Sequence, residues 1–347
     1  MDKNKVKYLI VAETRDKHKS ILKDMLYNDY VSRDSIEEFN QTCKDLGYSI
    51  EYLGGTEDLI QRFSGSNKDS IHKDNENTIY INYNYGTPSD FKRGQSPMFM
   101  EMNNLKYSGS DPFVSLLVND KESSKLILEH SNIAELYIPK GILINKDSEL
   151  ENINWGLLDF PVVVKPNSEG SSLGITENSI CRSETEIIQQ VNTLIQKYNS
   201  ILVEEYIEGY ELTVWIIGNP NEYRLVKPLL ISVKEQYFFE KKVMTMEDKA
   251  NHSRQYHNPC NYFSSNTVKN LIEISKTIFA NLGLRDYGRI DFRINNGKIY
   301  FIEANALPAF SKSSEIGEIT RLYNISYSDI CQHLISTITD RLMGKTN

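Results

Sequence analysis

A mixed α/β (α+β) fold that opens with a small parallel layer is what the 347-residue sequence predicts. Three observations carry that expectation. Strand-like and helical stretches alternate through the first third of the chain. After Pro161 a strongly β-branched run breaks into a Gly/Ser-rich loop. Near the C-terminus two strand-like runs meet at Asn295-Asn296-Gly297, whose Asn-Gly pair favours a tight hairpin. At roughly 150 residues per domain the length corresponds to two or three domains. A composition of 39% hydrophobic and 25% charged residues excludes disordered, collagen-like and coiled-coil classes.

The elements follow in order. Residues 7–12 read as a strand, 35–46 as a helix stopped by Gly47, and 48–53 as the next strand. Residues 67–77 are polar and read as a surface loop, and 78–82 as a third strand. Residues 121–131 are helical, with Leu126, Ile127 and His130 expected on one side. A buried strand over 161–165, the loop 167–174, a helix over 184–197 and a strand over 200–206 come next. Residues 211–217 alternate as a strand does. Val268, Leu271, Ile272, Phe279 and Leu282 form an apolar helical stripe ending at Gly283. The hairpin strands 288–294 and 298–304 and a last helix over 326–342 complete the chain, with no internal repeat.

The formal net charge of -8 argues against a general binder of nucleic acid or anionic membrane, while leaving room for anionic ligands in a cation-lined cleft. The apolar run 8–12 is too short for a signal sequence, and no stretch is long enough to span a bilayer. Cys43, Cys181, Cys260 and Cys331 are dispersed without a C-x-x-C pair, so reduced thiols and a cytoplasmic location are expected. The histidines lack metal spacing, and neither a nucleophile elbow nor a Walker A loop is present.

Three segments could carry chemistry. In the first, Lys165 ends a buried strand and Asn167-Ser168-Glu169-Gly170-Ser171-Ser172-Leu173-Gly174 follows. Backbone N–H groups and hydroxyls of such a loop can wrap phosphate oxygens while the lysine supplies charge. On these residues alone, a surface loop with a snorkelling lysine is equally open. In the second, Arg289 and Asp291 share one face of a strand, as do Glu303 and Asn305 on the next. The hairpin would bring three oxygen donors suited to Mg²⁺ beside a guanidinium, with a solvated cross-strand salt bridge as the alternative. In the third, Val203-Glu204-Glu205-Tyr206-Ile207-Glu208-Gly209-Tyr210-Glu211 places carboxylates at a strand end, where they could accept from a nucleoside or simply face solvent.

In this order the segments resemble the ATP-grasp superfamily, and within it the D-alanine–D-alanine ligase branch. The sequences KPNSEGSSLG, VEEYIEGYELTV and GRIDFRINNGKIYFIEANALP carry the likeness. Upstream, Tyr107-Ser108-Gly109-Ser110 and Asp120-Lys121 extend it to about two thirds of the chain. The resemblance implies an N-terminal α/β domain (1–107), a central ATP-grasp subdomain (108–206) and a C-terminal subdomain with the metal site (207–347). It implies that Lys121 and Lys165 bind the ATP phosphates beneath Ser171 and Ser172. Glu204, Glu205 and Ile207 would meet the adenine side and Glu211 the ribose. Asp291, Glu303 and Asn305 would ligate two Mg²⁺ ions, with Mn²⁺ as a substitute. Arg289 and Lys242, with Ser171, would act on the transferred phosphoryl group, Lys241 being the adjacent alternative to Lys242. A homodimer through the N-terminal region is the family-like expectation.

Departures from the family pattern fall on the substrate side. The E-H-E-x-S segment is absent where Ala12-Glu13-Thr14-Arg15 stands, and Tyr85-Gly86 replaces a His-Gly. Residues 88–95 replace a G-E-D-G segment, and Val243 follows Lys242 where a tyrosine is usual. Ala309 takes the place of a glycine, and Ser314-Glu315 that of a serine-leucine whose serine side receives a carboxylate. A glutamate there would repel a carboxylate or recruit a cation. Glu13, Tyr85, Arg289, Ala309, Ser314 and Glu315 are therefore the expected substrate contacts. The expected activity is ATP-dependent joining of a small carboxylate to an amine, not two D-alanines, through an acyl phosphate. A D-alanine–D-alanine ligase of peptidoglycan synthesis with divergent loops, and a non-catalytic nucleotide-binding module, are the competing readings.

Overall fold

The computed structural model describes residues 6–18, 30–64, 76–87, 89, 91–170, 172–240 and 253–345. The chain begins with β1 (Lys7–Val11), α1 (Arg33–Asp45), β2 (Ser49–Gly54), α2 (Thr56–Phe63), β3 (Thr78–Asn82), α3 (Lys92–Met102) and β4 (Lys106–Tyr107). Their sheet runs β2-β1-β3-β4, with β1 parallel to both neighbours. Tyr8 and Ile10 pack towards α1, while Leu9 and Val11 pack towards α2 and α3. Both faces are thus covered, as a parallel sheet requires. Helix α3 has no clear sequence signal because Gly94 and Pro97 lie inside it. Gly94 is there for close approach: a Cβ would stand 2.8 Å from Leu116 Cγ.

Next come α4 (Pro112–Asn119), α5 (Lys121–His130), β5 (Leu136–Tyr137), β6 (Gly141–Asn145), β7 (Val162–Pro166), β8 (Ile180–Cys181), α6 (Glu184–Leu194) and β9 (Ser200–Glu205). Strands β6-β9-β7-β8 form an antiparallel sheet with its own core under α6, built from Ile144, Val162, Val164, Ile187 and Val203. Helices α4 and α5 pack elsewhere. Asp111 and Asp120 cap their N-termini through Val114 N at 2.9 Å and Ser123 N at 2.8 Å. The expected central unit 108–206 therefore spans two cores.

The last third holds β10 (Gly209–Asn219), β11 (Glu222–Val233), β12 (Phe238–Phe239), β13 (Arg254–His257), α7 (Ser265–Asn281), β14 (Asp286–Asn295), β15 (Lys298–Asn305), α8 (Glu315–Tyr323) and α9 (Tyr327–Met343). The main sheet runs β13-β11-β10-β14-β15-β5. Leu212, Val214 and Ile216 face a core shared with α4, α5 and α7, whereas Trp215 and Ile217 face α9 and the N-terminal layer. The β14–β15 hairpin turns at Asn296 (φ 48°) and Gly297 (φ 76°), the two positive φ angles a type I′ turn needs. Strand β11, twelve residues long, was not separable from sequence. Its Arg224, Lys227 and Pro228 interrupt the apolar run.

One buried carboxylate fastens these layers together. Asp286, at the start of β14, accepts from Gly109 N at 2.8 Å and pairs with Arg341 of α9 at 2.5 Å, and Arg341 also donates to Tyr107 O at 2.8 Å. No described helix is long and apolar enough to cross a membrane.

Candidate active site

The Gly/Ser loop begins where β7 ends, and it is docked on the N-terminus of α5 by polar contacts. Lys121 N donates to Asn167 O at 3.2 Å and Glu122 N to Asn167 Oδ1 at 3.0 Å, while Asn167 Nδ2 donates to Asp120 at 2.6 Å. Asn119 Nδ2 reaches Ser168 O at 2.8 Å. From the N-terminal layer, Lys92 forms a buried 2.8 Å ion pair with Glu169. The loop is thus held from two sides, although its glycines and serines give it no packing core.

Lys121 and Lys165 both enter the cleft that this loop borders. Lys121 Nζ donates to the carbonyls of Asn167 and Glu169 and lies 3.4 Å from Glu303. Lys165 pairs with Glu204 at 2.5 Å, and Glu204 also pairs with Lys125. Two ammonium groups thus share one carboxylate that is 2% exposed. Burial pushes the Lys125 ammonium down to about 7, and burial, reinforced by Lys125 and Lys121, holds Lys165 well below the ordinary lysine value. Both are set to gain from an incoming anion.

Lys125 was missed in the sequence, although it stands one turn after Lys121 on the same helical face. That inner face carries Lys121, Ser124, Lys125 and Leu128. The side that carries Leu126, Ile127 and His130 is not the buried one: Leu126 is 46% exposed. Charge faces inward here because the N-terminal half of this face, with Lys121 and Lys125, looks into a polar cleft, while Leu128 one turn on joins the core of the main sheet.

Glu205 turns away from Glu204, as alternation on a strand requires, and accepts from Lys140 N and Asp159 N, each at 3.3 Å. Ile207 O and Glu211 are both held by Arg293, at 2.8 and 2.9 Å. Arg293 has no sequence-derived role, yet it continues the Arg289, Asp291 alternation and lies on the same face. Ser172 lines the cleft, whose volume is about 130 Å³. Ser171, Lys241, Lys242 and Val243 lie outside the described residues, as do Pro88 and Asp90.

The hairpin brings the expected metal ligands together. Asp291 faces Glu303 in register, and Arg289 faces Asn305. Arg289 clamps Asp291 with two bonds of 3.0 and 2.9 Å, and Thr213 of β10 adds a third at 2.6 Å. Burial raises the Asp291 carboxyl above its ordinary value against the pull of Arg289, with Glu303 adding to the rise. Asn305 Nδ2 is buried without a hydrogen-bond partner in the structure. Two carboxylates and an amide oxygen form a hard donor set that suits Mg²⁺. Among the described residues no group of three His, Cys, Asp or Glu side chains forms a metal cluster.

Beyond Arg289 the cleft opens into a cavity of about 560 Å³ lined by Tyr85, Ala309, Ser314 and Glu315. Tyr85 donates to Leu307 O at 2.8 Å. Ser314 caps α8 and donates to Ala309 O at 2.8 Å. Glu315 lies 3.5 Å from Arg289 and 3.6 Å from Arg254, and it accepts from Tyr256 at 3.1 Å. Burial would raise its carboxyl, but Arg289 and then Arg254 hold it below the ordinary value. The glutamate is therefore neutralised by guanidinium groups in place, and Arg254 and Tyr256 reach it from β13, about sixty residues away in sequence. Glu13 does not line this cavity. Its carboxylate accepts from Thr56 N at 3.2 Å at the start of α2.

Comparison with known proteins is consistent with this geometry. The model of a family described as D-ala D-ala ligase C-terminus matches residues 138–336. A D-alanine–D-alanine ligase from Thermotoga petrophila is 25% identical over 307 residues, covering 88% of this chain and 92% of that protein. The crystal structure of the Bacillus anthracis D-alanine–D-alanine ligase complexed with ATP superposes with a TM-score of 0.69 at 20% identity, covering 97% of this chain and 99% of the other. The VanG D-Ala:D-Ser ligase of Enterococcus faecalis gives 0.69 at 19% identity, over 96% and 99%.

Proposed function

The chain belongs to the D-alanine–D-alanine ligase family, and from that premise we propose that it joins a carboxylate and an amine that are not both D-alanine. It has the ATP-grasp fold and is an ATP-dependent ligase that forms a carbon–nitrogen bond. The observation that best supports the assignment of roles is the convergence of Lys121, Lys165, Asp291 and Glu303 on one cleft, with Lys125 paired to its Glu204 and with Arg289 and Asn305 of the same hairpin lining the adjoining cavity.

A carboxylate is a poor electrophile because its leaving group would be oxide. One of its oxygens attacks the γ-phosphorus of ATP as the bond to ADP breaks, giving an acyl phosphate. The amine nitrogen then bonds to the carbonyl carbon, the C–O bond to phosphate breaks, and the nitrogen loses a proton. No covalent enzyme nucleophile is required, so position and charge supply the catalysis. Lys121 and Lys165 hold the polyphosphate in the cleft that Ser172 also lines, and Ser171 and Lys242 keep the role on the phosphoryl group that the family likeness implies. Ile207, Glu205, Glu204 and Glu211 form the nucleoside side. Arg289, fixed by Asp291 and Glu315, faces the transferred phosphoryl and the later oxyanion without having to reorganise. Asp291, Glu303 and Asn305 would hold Mg²⁺, which when bound offsets polyphosphate charge.

The substrate half rests on Glu13 and Glu315. The first is engaged at a helix N-terminus and the second between two arginines, so neither is set for the zwitterions of a D-alanine pair. Coupled ADP release over a panel of carboxylates and amines tests both halves. Formation of D-alanyl-D-alanine from D-alanine alone would overturn the substrate half. Absence of ADP release with every pair would overturn the ligase assignment.

A further inference from the structure

The N-terminal layer reaches the phosphate loop through one ion pair. Lys92, the first residue of α3, meets Glu169 at 2.8 Å, with the two side chains only 6% and 13% exposed. Removing one partner of so dry a pair leaves the other charge buried and uncompensated. Lys92 stands in the stretch 88–95, which departs from the family pattern, so the likeness gives it no role.

The lysine is mounted firmly from its own side. A Cβ on Gly86 would stand 2.1 Å from Lys92 O, so the two backbones are in contact. The Tyr30 hydroxyl donates to Gly86 O, and Thr87 N donates to Gln95 Oε1 of the same helix at 2.8 Å. The start of α3 is thereby fixed to the segment that carries Tyr85.

On the other side of the pair, Glu169 is tied to the phosphate lysine. Its carbonyl accepts from Lys121 Nζ, and Asn119 Nδ2 holds the preceding carbonyl, Ser168 O, at 2.8 Å. Glu169 lines the nucleotide cleft together with Lys121 and Glu303. Arg93, next to Lys92, lines a smaller cavity of about 30 Å³ with those same three residues. A loop of glycines and serines loses much conformational freedom when it closes on a ligand. An anchor that orders it beforehand lowers that cost.

We propose that Lys92 is a positioning residue for the nucleotide: through Glu169 it holds the phosphate loop, and with it Lys121, at the cleft. The N-terminal layer then contributes to the binding of the ATP phosphates without touching them. The proposal rests on the ligase reading above for the identity of the nucleotide.

Titration calorimetry of the full chain with β,γ-imido-ATP and MgCl₂ is the test, with adenosine as the ligand that carries no phosphate. Lys92→Gln should weaken β,γ-imido-ATP at least about fivefold, the low end of coupling between distinct sites, and leave adenosine unchanged. Lys92→Arg should restore part of the affinity. Glu169→Gln should weaken the analogue by a similar factor, and the double glutamine variant should be no worse than Lys92→Gln, because both changes open one contact. Unchanged analogue affinity in both single glutamine variants, or an equal loss for adenosine, would overturn the proposal. Tighter binding by Glu169→Gln would also overturn it, since Lys92 would then act as a bare charge on the phosphates. Failure of the parent chain to bind β,γ-imido-ATP would overturn the ligase reading, and this role with it.

Discussion

Glu303 is the residue whose role is most exposed to test, because it faces Asp291 across the hairpin and Lys121 across the cleft. Glu303→Gln keeps the shape and removes one hard, charged donor. ADP release should fall at least about 10²-fold, as when a single electrostatic stabiliser is removed, with an unchanged circular dichroism spectrum. Activity within a few-fold of the parent would remove Glu303 from the proposed metal site.

Glu315 carries a pH prediction with a definite sign. Its folded-state pKa is depressed by Arg289 and Arg254, so its contribution to stability is present above the unfolded carboxyl value and lost as pH falls through the folded one. Glu315→Gln should therefore be less stable by about 2 kcal/mol at pH 7, the scale of a buried hydrogen-bonded charge. That difference should shrink steadily in urea unfolding as pH is lowered below 4.5. A gap that is constant or widens in acid would mean that the two arginines do not hold the carboxylate.

At the scale of elements, the joint between α5 and the Gly/Ser loop depends on one side chain. Asp120 caps Ser123 N and accepts from Asn167 Nδ2. Asp120→Ala should cost about 1–2 kcal/mol, as an N-cap does, and should also raise the KM for ATP because the loop loses an anchor. Stability loss with an unchanged KM would separate the cap from the loop. The same scale shows what local chemistry makes legible. The Asn-Gly turn announces the hairpin because only residues tolerant of positive φ fit it. The amphipathic stripe announces α7, and the β-branched run announces β7. Helix α3 and strand β11 were not legible, since Pro97 in one and Arg224, Lys227 and Pro228 in the other break the patterns that burial would otherwise reveal.

At the scale of the molecule, Asp286 binds the end of the N-terminal layer to β14 and α9 through Gly109 and Arg341. Removing one partner of a buried pair leaves an uncompensated charge. Asp286→Ala should cost about 3 kcal/mol or more on that account, seen as a lower urea midpoint. Its hydrogen-bond partners Gly109, Asn219 and Arg341 are not part of the phosphate loop, so KM for ATP in the folded fraction should be nearly unchanged. A stability loss below about 0.5 kcal/mol, the range of ordinary surface changes, would show that the layers are held by apolar packing alone.

Read by itself, the sequence determined the parallel opening layer, the lysine strand with its Gly/Ser loop, and the hairpin that pairs Asp291 with Glu303. Each is written within a few dozen residues, in turn chemistry and side-chain period. The tertiary structure decided which charges meet. It placed Lys125 beside Glu204, put α4 and α5 into the core of the main sheet, fixed Glu315 between Arg254 and Arg289, and turned Glu13 to a helix end. These partners are tens of residues apart, and every acid in the chain is chemically able to pair with every base. Only the topology that buries them together selects the pairs, and with them the character of the substrate cavity.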